Sequence, residues 1–84
     1  MENKVLTEIY LAAPGKSYDI YLSEDMYVYE AVKLLSEIFD EISEGFFSSG
    51  DINFLCDRHT GKIYPSDKTL RQLQIKNHSS LMFV

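Results

Sequence analysis

The sequence predicts an α+β fold, a single helix laid across one face of a sheet, and three observations predict it. Two alternating apolar runs flank Ala13-Pro14-Gly15-Lys16, the pattern of an antiparallel hairpin. One stretch then changes to the helical period. Residues 67–84 finally read as a polar loop, one turn and an apolar strand.

The elements follow in order. From about Val5 to Ala12, Val5, Thr7, Ile9 and Leu11 fall on one side of a strand and Leu6, Glu8 and Tyr10 on the other. Pro14 and Gly15 break the run. In the second strand Tyr18, Ile20 and Leu22 share one face, opposite Ser17, Asp19 and Tyr21. Ser23-Glu24-Asp25 supplies capping oxygens and early negative charge for a helix over about Val28–Ser43. Its apolar stripe is Val28, Ala31, Leu35, Ile38 and Ile42, widened by Val32, Leu34 and Phe39, and Gly45 is a plausible stop. Glu30, Lys33, Glu37, Asp40 and Glu41 occupy the solvent side, where they would attract a basic partner surface. After an irregular stretch, Glu44–Gly50, a third strand is expected over Ile52–Cys56 and a fourth over Ile63-Tyr64, ended by Pro65. A closing turn carries Leu70 and Ile75 inward before a last strand opens at Leu81.

Composition narrows the function. At 84 residues the chain is one domain, 1–84, expected to bury roughly 60–65% of its unfolded surface. A net charge of −5 with eight scattered basic residues disfavours nucleic-acid binding. The single Cys56 excludes an internal disulfide. With no leader-like N-terminus and no apolar run of about 20 residues, a cytoplasmic protein without membrane insertion is expected. Asn77-His78-Ser79 matches a glycosylation sequon, which such a protein would not use.

No motif for chemistry survives inspection. Cys56-x-x-His59 offers two metal ligands and His78 a third, whereas a structural zinc site takes four, so no metal is expected. Cys56 alternates with Ile52 and Phe54, the pattern of a buried, inert thiol and not of an activated nucleophile. Gly45-x4-Gly50 is followed by Asp51 where a phosphate-binding loop has lysine, and its helix precedes it. No enzyme activity and no cofactor are therefore expected.

The order of elements and the spacing of Thr69-Leu70, Ile75 and Leu81 resemble ubiquitin, and the likeness spans essentially the whole chain. The length, the tyrosine-rich Tyr18-Asp19-Ile20-Tyr21-Leu22 and the ending at Leu81-Met82-Phe83-Val84 resemble the small bacterial YukD/EsaB group of type VII secretion. The resemblance implies a β-grasp fold with a mixed sheet in the order 2-1-5-3-4. Gly45–Gly50 and Asp57–Lys62 differ from ubiquitin in length, so its partner-binding residues do not carry over there.

In that order Leu6, Tyr10, Tyr21, Met82 and Val84 would lie together on the face the helix leaves uncovered, a candidate partner-binding patch. Phe47, of the pair Phe46-Phe47, is a further candidate contact. The resemblance implies a non-enzymatic accessory or regulatory component of a secretion system. Its partner would be a cytosolic domain of a secretion ATPase or membrane component, with monomer and weak dimer both open. The sequence has no terminal Gly-Gly, so noncovalent docking is expected in place of conjugation or sulfur transfer. Two alternatives stand: a ubiquitin-like adaptor in unrelated regulation, and a divergent covalent modifier or sulfur-carrier relative.

Overall fold

Pairing along β1 (Lys4–Leu11) organises the molecule. A computed structural model describes residues 3–12, 15–42 and 53–84. On one side of β1 runs β2 (Lys16–Ser23), antiparallel from Lys4 opposite Ser23 to Leu11 opposite Lys16. Gly15 turns the hairpin at φ +82°, where only glycine is free of strain. On the other side β4 (Ser80–Phe83) runs parallel to β1, and β3 (Leu55–Asp57) pairs antiparallel with β4. The order is β2-β1-β4-β3. The expected fourth strand is a single bridge from Ile63 to Cys56 at the far edge, which completes the expected 2-1-5-3-4 arrangement. Gly61 turns the chain just before Ile63, and Pro65, with no N–H, stops pairing just after it.

The third strand is shorter and shifted relative to expectation. Ile52 lies outside the described residues, and pairing runs over Leu55–Asp57. Leu55 is opposite Phe83 and faces the core, which turns Cys56 with its cross-strand neighbour Met82 to the other face. Phe54, expected on a buried side, is 44% exposed. Apolar residues stand on both faces of this run, so alternation alone assigns neither; the register against β4 decides.

The helix α1 (Val28–Ile42) crosses the inner face of the sheet. Its buried stripe is Val28, Ala31, Leu35 and Phe39. Against them pack Ile9, Leu11, Leu22, Leu55, Leu81 and Phe83, with Phe39 and Phe83 ring centroids 5.5 Å apart. Ile38 is only half-buried, and Leu34 and Ile42 are 37% and 47% exposed, so the core-facing line runs through Phe39 instead of Ile38 and Ile42. One helix face can bury a stripe a little over 100° wide, and the eight apolar positions of α1 cover more than that.

Ser23 does not cap the helix; its Oγ accepts from Asp25 N–H at 3.3 Å. The cap lies later, where Glu30 Oε1 accepts from Tyr27 N–H at 3.0 Å, half of a capping box. The first helical N–H groups, of Val28 and Tyr29, donate to Lys68 O and Ser66 O at 2.9 and 3.2 Å. The loop before the closing turn thus satisfies donors that any helix start leaves open.

The closing turn is itself capped at both ends. Thr69 and Gln72 exchange side-chain and backbone hydrogen bonds of 2.9 and 3.1 Å. At its far end Ile75 N–H donates to Leu70 O and Gln74 N–H to Arg71 O, both at 3.0 Å, with Gln74 at φ +60°. This is a Schellman ending, and its usual apolar contact is supplied by Leu70 and Ile75, both in the core. Asn77 Oδ1 then accepts from Leu6 N–H, and His78 N–H donates to Leu6 O, which seats β4 beside β1.

Candidate functional site

The uncovered face of the sheet is built by register. Tyr10 is opposite Met82, Met82 opposite Cys56, and Cys56 opposite Ile63. These four residues form one apolar row across the sheet. Phe54 and Val84 pair next to it through two backbone hydrogen bonds of 2.8 and 3.0 Å. Ile63 is 53% exposed and Phe54 and Val84 are each 44% exposed.

Of the residues expected to make one patch, Tyr10, Met82 and Val84 belong to this apolar half. Leu6 and Tyr21 also share the face, opposite one another at its other end. Between the two groups lie Glu8, paired with both Asp19 and Ser80. Phe47 lies outside the described residues. Phe54 and Ile63 were not foreseen as part of the surface, nor Cys56 as the buried residue beneath it. Their signal was the alternation of Phe54 with Cys56, which becomes readable only once β4 is placed beside them.

Arg58 borders the row. Its guanidinium carbon sits 4.4 Å from the Tyr10 ring centroid, and Nη1 lies 3.3 Å from Glu8 Oε1 and 3.1 Å from Ser17 Oγ. The cation stacks on the ring, leaving its polar edge to Glu8 and Ser17. Both charged partners are well exposed, so the ion pair itself contributes about 0–1 kcal/mol. It supplies a charged rim to an apolar centre.

Cys56, in the middle of the row, is 2% exposed, and burial pushes its thiol pKa up. That is the opposite of activation. His59 and His78 line a separate polar pocket with Asp57 and Tyr64, and Cys56 does not line it. Asp57 Oδ1 accepts from the backbone N–H groups of His59 and Thr60 at 2.7 and 3.3 Å, which holds its carboxyl below the usual range and organises the turn. Among the described residues no three His, Cys, Asp or Glu side chains are grouped to hold a metal ion. None of their helices is long and apolar enough to cross a membrane.

No family model and no curated protein matches the sequence. Solved structures do match in shape. The ubiquitin-like domain of EccD5 from Mycobacterium xenopi superposes with a TM-score of 0.77 at 11% identity, over 96% of this chain and 92% of that one. The ubiquitin-like domain of Plasmodium falciparum Dsk2 gives 0.74 at 15% identity, over 96% of each chain. A chain of the MycP5-free ESX-5 inner membrane complex gives 0.73 at 15% identity; the match covers 98% of this chain but 21% of that one. Such identities speak for shape alone, and the shape agrees with the pairing described above: this protein has the ubiquitin-like β-grasp fold.

Proposed function

We propose that this protein is a non-enzymatic docking module that binds a protein partner noncovalently through the uncovered sheet face, as an accessory component of a type VII secretion system. The observation that carries the docking reading is the continuous row Tyr10-Met82-Cys56-Ile63 with Phe54 and Val84 beside it. Aromatic residues, methionine and arginine are the types enriched at interfaces, and an apolar centre with a polar rim is their usual arrangement. The secretion assignment is supported by the likeness to the EccD5 domain and to part of the ESX-5 inner membrane complex. On this reading the partner is a cytosolic part of the secretion ATPase or of a membrane component, and the module works in the cytoplasm. The equally good superposition on the Dsk2 domain favours a second reading, a ubiquitin-like adaptor in unrelated regulation.

A pull-down of the tagged protein from its native host, with intact masses read for everything recovered, tests both. The expected result is unmodified protein together with a secretion component. Ile63→Glu should remove that component while the fold, followed by circular dichroism, is unchanged; retention by Ile63→Glu would sink the role of this face. Recovery of regulatory proteins alone would favour the adaptor reading, and a mass increase from an attached protein would return the chain to the covalent modifiers.

A further inference from the structure

We propose a second docking surface on the solvent side of α1, away from the uncovered sheet face, that takes an amphipathic helix bearing lysines or arginines. Leu34, Ile38 and Ile42 stand at helical intervals of four and form one ridge. Leu34 is 37% and Ile42 47% exposed, and Ile38 is half-buried, so the ridge rises from the core into solvent. Glu30 precedes Leu34 on the same row, and Glu37 and Glu41 follow Lys33 on the adjacent one. Met26, Glu30, Leu34 and Glu37 line one shallow open groove together with Tyr29 and Lys33.

Charge names the occupant. The helix carries Glu30, Glu37, Asp40 and Glu41 against the single base Lys33, and its last turn has no basic residue. Asp40 and Glu41 therefore stand beside the negative end of the helix dipole, an arrangement that is locally unfavourable and that a cation from outside would relieve. An apolar row with two carboxylates on the row beside it fits the ridges of a second helix, whose apolar residues would meet Leu34 and Ile38 while its basic residues meet Glu37 and Glu41. An acidic or neutral helix would satisfy the first requirement but not the second.

The probe is a Leu/Lys-patterned amphipathic peptide of about 20 residues, with a Leu/Glu-patterned peptide of equal length as control. Each is titrated into the 15N-labelled protein and followed by amide shifts. The expected result is saturable binding of the lysine peptide with shifts centred on residues 30–42, none for the glutamate peptide, and strong weakening at about 0.5 M salt. Glu37→Gln with Glu41→Gln, and separately Leu34→Ser, should each lower affinity by about tenfold, and their unbound spectra report that the fold is retained. Shifts centred on the sheet, variants that bind like the parent, or no binding by the lysine peptide would each overturn the proposal. Failure of the lysine peptide to bind, or variants that bind like the parent, would leave the sheet-face reading standing, because that reading rests on other residues.

Discussion

Gln74 holds the left-handed conformation at φ +60°, where a Cβ normally costs about 1–2 kcal/mol and glycine is the usual occupant. The Schellman hydrogen bonds around it and the burial of Leu70 and Ile75 keep it there. Gln74→Gly should therefore raise stability by up to about 1 kcal/mol, read from urea unfolding, after allowance for the greater freedom of glycine in the unfolded chain. A lower stability would show that the glutamine side chain makes a contact that matters. Other residues were legible from their neighbours. Thr7 falls among the inward positions of its strand, and its buried hydroxyl is indeed satisfied, donating to Ile20 O at 2.8 Å. Arg58 was not legible, because nothing in Asp57-Arg58-His59 announces that its guanidinium lies over a tyrosine 48 positions earlier.

At the scale of elements, period was readable and phase was not always. The helical period of Val28–Ile42 and the alternation in β1 and β2 identify those elements from local pattern alone. Which part of a wide apolar arc faces the sheet depends on where the sheet lies, and so Phe39, not Ile38, occupies the centre. Leu35 is fully buried. Leu35→Ala should cost about 2–5 kcal/mol through the cavity it leaves, while Leu34→Ala, on the exposed shoulder, should stay within about 0.5 kcal/mol. Thermal or chemical unfolding of the two variants separates them; similar losses would place the buried stripe elsewhere. The third strand shows the same limit more sharply. In Asn53-Phe54-Leu55-Cys56 three apolar residues in succession fit either face, and the pairing of Leu55 with Phe83 settles which one points inward.

For the molecule as a whole, stability should respond to acid through two carboxylates whose pKa values are held down. Asp25 is lowered chiefly by its hydrogen bonds from Arg71, at 2.8 and 3.1 Å, which tie the start of the helix region to the closing turn. Asp57 is lowered by the backbone N–H groups of its own turn. A folded-state pKa below the unfolded value of 3.8 means that each contribution is present above that pH and is lost as pH falls through the folded value. The melting temperature of the parent should thus fall, as pH drops below about 4, more steeply than that of Asp25→Asn/Asp57→Asn, which keeps side-chain oxygens as acceptors but cannot titrate there. Parallel profiles would show that neither interaction favours the folded state. The sequence by itself determined the hairpin, the helix, the closing turn and the two-sided character of the sheet, because each follows from the spacing of neighbouring residues and from turn formers beside them. Only the tertiary structure decided the phase of the helix, the facing of the third strand and the row from Tyr10 through Met82 and Cys56 to Ile63. Those features depend on register between segments far apart in the chain, and a shift of one residue there would send every side chain of a strand to the opposite face.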